Sequence, residues 1–98
     1  MTYEAFLESI QSDSALLQGL SLPLQALWLV RKDRWEEAHD RVDEMTHLMG
    51  DWIHAHLHLI EGDLTNAAYW YREAGKAVNT PEQIDSEWHE IVRSNFGG

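Results

Sequence analysis

The chain has 98 residues, with 17 acidic against 7 basic side chains, a formal charge of −10 and no cysteine. That length supports one modest core and no second domain, and a hydrophobic fraction of 44% with five tryptophans excludes a disordered chain. The negative field disfavours nucleic acid and anionic membranes and favours basic proteins or cationic ligands, while the missing thiols remove disulfides, thiolate metal sites and cysteine nucleophiles.

The start of the chain lacks the basic segment and apolar run of a signal peptide, and no stretch approaches the roughly 20 apolar residues of a membrane span. A cytoplasmic location without membrane contact is therefore expected. Tyr3, Phe6, Leu7 and Ile10 share one helical face, with Glu4 in the favourable first turn, and predict a short first helix. Ser12-Asp13-Ser14 ends it, and Ala15 to Leu20 reads as a packed connection. Ser21 then caps a helix with Pro23 in its first turn, and Leu22, Leu24, Ala26, Leu27, Trp28, Leu29 and Val30 leave it almost no polar face, so it is expected to be buried on several sides.

Asp33 with Glu36 resembles a capping box, opening a helix whose stripe runs through Trp35, Ala38, Val42, Met45 and Met49. Gly50 is placed to end that helix in the left-handed conformation and Asp51 to begin the next, through Trp52, Ile53, Leu57, Leu59 and Ile60. Gly62 and Asp63 repeat the stop and start. Leu64, Ala67, Ala68, Tyr71, Ala74 and Val78 form another stripe, ended near Asn79 by Thr80-Pro81. Thr80 with Gln83 is a second capping box, leading into Ile84, Trp88, Ile91 and Val92, and Phe96-Gly97-Gly98 reads as a frayed end. Five main helices behind the short first one are expected, without a sheet, and with Trp28, Trp35, Val42, Leu57, Leu64, Tyr71 and Trp88 largely buried.

An offset of 29 residues pairs Ala26 with Ala55, Trp35 with Leu64, Ala38 with Ala67, Val42 with Tyr71 and Met45 with Ala74. Glu61 to Ala74, with its Gly-Asp-Leu, Ala and aromatic pattern, resembles the second half of a tetratricopeptide repeat, and Lys32 to Ala38 is a weaker copy. The offset is shorter than the family's usual 34 or so residues, which implies a tight inter-repeat turn. The resemblance implies an all-α fold of tandem helix-turn-helix repeats with one flanking helix at each end. Residues 1–21 would be an N-terminal cap and connection, 22–49 and 50–79 the repeats, and 80–98 a C-terminal cap and tail. More narrowly, Asp51 to Lys76, with Trp-Ile-His-Ala-His-Leu-His followed by Tyr-Trp-Tyr-Arg-Glu-Ala-Gly, is similar to a group of short uncharacterised microbial helical proteins, which implies no activity.

His54 and His58 lie one turn apart on a face with Asp51 and Glu61, a pattern able to bind zinc. The same stripe reads as the solvated polar edge of its helix, where such pairs are ordinary surface partners, so no metal is expected. Glu44 with His47 and Asp51 with His54 echo the Glu-x-x-His element of di-iron bundles, but Glu44 and His47 fall on the charged side of their helix, whereas that chemistry needs inward ligands. His56 lies in the apolar arc and reads as a core or groove-wall histidine with one hydrogen bond. In the geometry that the tetratricopeptide resemblance implies, Trp52 and His56 line a concave, ligand-facing surface.

Of the three consecutive aromatics, Tyr71 belongs to the core, Tyr69 to the polar side and Trp70 to the border. No glycine-rich phosphate loop, nucleophile elbow or distinct carboxylate pair is present, so neither catalytic residues nor a cofactor are expected. The leading expectation is a non-enzymatic module that binds another protein, or itself as a homodimer, through Trp52, His56, Tyr69 and Trp70. The alternative is a metal- or small-ligand-binding protein using His54, His58 and Glu61.

Overall fold

The structure, a computed structural model, describes residues 1–97. Six α-helices follow one another: α1 (Tyr3–Ser12), α2 (Leu22–Arg31), α3 (Trp35–Asp43), α4 (Leu48–Glu61), α5 (Leu64–Ala74) and α6 (Ile84–Ser94), the last preceded by a 3-10 turn (Pro81–Gln83). No strand occurs among the described residues, and no helix there is long and apolar enough to cross a membrane.

Side-chain caps form at four starts, three of them predicted and the fourth, at Thr2, not. Thr2 and Ser21 accept from the backbone of Ala5 and Leu24, Asp63 accepts from Asn66 N, and Gln83 Oε1 accepts from Thr80 N at 3.0 Å. The start of α3 differs. Asp33 takes φ +61° in the turn after α2, Arg34 is the N-cap without a side-chain capping bond, and the predicted Asp33–Glu36 box does not form.

The larger correction lies between α3 and α4. Instead of running to Met49, α3 stops at Asp43, and Gly50 sits inside the first turn of α4, as does Asp51, with His47 as N-cap. Gly50 is there for close approach: a Cβ on it would fall 2.7 Å from Met45 Cβ. The left-handed glycines that cap helices are Gly62, as predicted, and Gly75, at φ +85° and +71°. Gly75 ends α5 at Ala74, so Val78 lies beyond the helix and is exposed instead of completing its stripe.

Helices α2 and α3 pack on each other, as do α4 and α5, and α1 and α6 contribute to the same core. Ala26, Ala38, Ala55 and Ala67 are all buried, which lets the paired backbones approach closely. Trp28, Val42, Leu57, Tyr71 and Trp88 are core residues as expected. Trp35 is only half-buried, with its indole N–H donating to Leu57 O at 2.8 Å, and Leu64, first in α5, is 53% exposed. Trp88 Nε1 donates to Leu27 O at 2.9 Å, and Trp28 Nε1 to the buried Ser9 hydroxyl at 3.2 Å, so each indole ties two helices together. Phe96 is not frayed: its ring packs on Phe6 and Tyr3 at 5.9 and 6.4 Å. Gly98, the last residue of the predicted tail, lies outside the described residues.

An alanine in place of glycine inside a helix normally stabilises by about 1 kcal/mol. Gly50→Ala should instead destabilise by about 1–2 kcal/mol, because overpacking against Met45 Cβ outweighs helix propensity. Urea denaturation checks this, and a stabilised variant would show that the α3–α4 turn yields freely.

Candidate functional site

The fourteen residues of α4 carry three histidines at alternate positions, and the helix sends them to two different places. At about 100° per residue, His54 and His58 share one flank while His56 faces the other way.

On the first flank, His39 of α3 joins His54 and His58, and one ring nitrogen from each lies within 4.8 Å of the others. His39 Nε2 is 3.1 Å from His54 Nε2. Carboxylates stand behind two of the rings: Glu61 Oε1 is 2.5 Å from His58 Nδ1, and Asp43 Oδ2 is 3.4 Å from His39 Nδ1. A carboxylate accepts from Nδ1–H, so each neutral ring keeps a bare Nε2 for the cluster. Asn66 Nδ2 approaches His58 Nε2 at 3.4 Å.

Aromatic rings wall the cluster. Trp70 stacks on His54 with centroids 3.9 Å apart and planes 11° from parallel, and Trp35 stacks on His39 at 5.1 Å. Burial, followed by the neighbouring His39 and His58 rings, lowers the His54 pKa to about 4. His54 therefore stays neutral, with a lone pair to offer, well into acid. The expected solvated edge is thus replaced by a partly dry site, with His58 only 7% exposed.

On the second flank lies a buried polar cluster that the sequence did not reveal. The Glu87 carboxylate of α6, 2% exposed, accepts from Tyr71 Oη at 2.6 Å, Asn79 Nδ2 at 2.5 Å, His56 Nδ1 at 2.7 Å and Trp52 Nε1 at 3.3 Å. Burial alone would raise the Glu87 pKa, but the bonds from His56, Tyr71 and Trp52 and the attraction of His56 outweigh it, and the net direction is down. Tyr71 moves the opposite way, its phenol kept protonated first by burial and then by its bond to Glu87.

Of the four residues expected to form an interaction surface, Trp52 and His56 are buried at 5% and 0% exposure, because Glu87 draws their polar atoms inward. Trp70 is half-buried against His54, and only Tyr69 is exposed, at 46%. Of the alternative metal set, His54 and His58 come together and Glu61 holds His58 from behind. His39 was missed because its partners are 15 and 19 positions away, and the local signal, Trp35 and Asp43 one turn to either side, reads as an ordinary helix edge.

The Glu87 assembly makes acid stability testable. A carboxyl lowered in the folded state contributes stability above its ordinary value of about 4.3 and loses it as pH falls through the folded value. Glu87→Gln should cost about 3 kcal/mol or more near neutral pH, and the gap from wild type should narrow below about pH 4. Urea titrations between pH 3 and 7 measure this, and a pH-independent gap would contradict it.

Comparison with protein families, curated proteins and solved structures finds no match for this chain.

Proposed function

We propose that this protein binds a borderline divalent transition-metal cation, zinc foremost, through the Nε2 atoms of His39, His54 and His58. The observation carrying this reading is the convergence of three imidazole nitrogens within 4.8 Å, two of their rings backed by carboxylates. In tetrahedral zinc coordination adjacent nitrogens stand about 3.3 Å apart, given bonds of about 2.0–2.1 Å, and the His39–His54 contact at 3.1 Å is already close to that. One proton satisfies that contact, and a cation would replace it while drawing on all three rings. Imidazole donors without thiolates suit zinc, copper(II) and nickel(II) better than magnesium or calcium. The formal charge of −10 adds a favourable field.

The bound cation would join α3 to α4 across the Met45–Gly50 contact, which is the junction of the two helical hairpins. We read these hairpins as tetratricopeptide-like, supported by the four buried alanines and by the 29-residue offset between the starts of α3 and α5. No catalytic residue is assigned.

Calorimetry with zinc on protein prepared without a histidine tag tests the proposal. One equivalent should bind, and the melting transition should rise by about 2.7 kcal/mol of stability at a hundredfold excess over Kd. His39→Ala and His54→Ala should each weaken binding by at least tenfold, and Asp43→Asn or Glu61→Gln by about 10-fold or more. Affinity no better than millimolar, about −4 kcal/mol, or alanine variants that bind as wild type, would overturn it.

A second reading, association with a protein partner or a second copy, is favoured by the exposed Tyr69, which lies edge-on to Trp70 at 5.0 Å. Sedimentation should show a self-associating species that Tyr69→Ala weakens while helicity is unchanged. A monomer at all concentrations would exclude the homodimer.

A further inference from the structure

His56 carries an unexplained feature. Its Nδ1 is held by Glu87, yet its Nε2, fully buried, has no hydrogen-bond partner within the protein, the sole buried side-chain nitrogen or oxygen in that condition among the described residues. Whether it is a bare acceptor or an N–H donor, an orphaned buried polar atom is costly, and native proteins rarely retain one without use.

The ring lines a cleft of about 280 Å³ where the end of α2, the middle of α4 and the start of α6 meet. Its other walls are Val30, Arg31, Asp33, Ile60, Ile84 and Trp88. Glu87 does not line this cleft: it borders a separate depression with Trp52, Lys76 and Asn79. The ring edge turned to the cleft is therefore the one that Glu87 leaves free. The walls are mostly apolar, with Val30 and Ile84 half-buried and Ile60 36% exposed. Arg31 is already committed, bonded to Asp85 at 2.6 Å and stacked over Trp88 at 4.1 Å. Asp33, Asp85 and Arg31 together leave the rim slightly negative, which disfavours an anionic guest.

We infer that this cleft binds a small neutral molecule made of one apolar ring and one hydroxyl, which hydrogen-bonds to His56 Nε2. The volume suits a single substituted ring, since about 150 Å³ already holds benzene. Glu87 takes up Nδ1, so Nε2 is the ring atom left over, and a hydroxyl, which both donates and accepts, satisfies it in either role. The nitrogen has no exposure of its own, so the guest enters as the half-buried Val30 and Ile84 and the exposed Ile60 side chains change rotamer. This inference does not depend on the cation site, which lies on the other flank of α4.

The test is an NMR titration of the full chain with 4-methylphenol and, separately, with toluene. The phenol should give saturable shifts at the Ile60 and Ile84 methyl groups and at His56 Nε2, while toluene should bind at least about tenfold more weakly. Ile60→Trp, made at a half-open position that tolerates bulk, should fill the cleft and abolish the response, and His39→Ala should leave it intact. No saturable shift, equal affinity for both probes, an unchanged response in Ile60→Trp, or a long-lived water seated on His56 Nε2 that the phenol does not displace would overturn the inference.

Discussion

A single buried carboxylate constrains the rest of this structure. A charge taken out of water is tolerated only when hydrogen bonds replace its solvation, and Glu87 collects donors from α4, α5, and the segment before α6. Each donor fixes something. Trp52 and His56 set the rotation of α4, Tyr71 sets the depth of α5, and Asn79 pins the chain between Gly75 and the 3-10 turn. With His56 committed to Glu87, the residues two positions before and after it must face about 200° away, towards α3 and Trp70. The histidine cluster is placed by a contact on the opposite side of the same helix.

The five tryptophans show how a bundle of short helices is held without disulfides. Trp28, Trp35, Trp52 and Trp88 each bury ring area while the indole N–H reaches a partner on another helix. Trp70 has a different part: it lies flat on His54, and together with Trp35 on His39 it lowers the polarity around the imidazoles. This local dryness, with the mutual repulsion of the rings, is what holds His54 neutral. Aromatic content that reads in the sequence as surplus available for partners is largely spent inside.

What was legible in the sequence was local. Caps at Ser21 and Asp63 and the left-handed Gly62 follow from residue chemistry over four or five positions and appear, while the stripes of α3 and α5 hold only as far as Val42 and Ala74. What was hidden depends on contacts distant in sequence. Gly50 looks like a helix stop, but its missing side chain makes room for Met45. Glu87 is indistinguishable from the other acidic residues until α6 packs on α4 and α5. His39 sits on a charged helix edge and becomes a cluster member only when α3 meets α4. His56 was read as a core or groove-wall histidine with one hydrogen bond, and it has one, although its partner is 31 residues away.

Cation binding and the placement of α4 both turn on which nitrogen of each imidazole carries its proton, and a long-range proton–nitrogen correlation spectrum of the histidine rings at neutral pH reads this directly. His39, His56 and His58 should each appear as the Nδ1–H tautomer with a bare Nε2, the form that Asp43, Glu87 and Glu61 impose. Nε2–H tautomers at His39 and His58 would remove the inward lone pairs on which cation binding rests, and an Nε2–H tautomer at His56 would contradict the Glu87 clamp that positions α4.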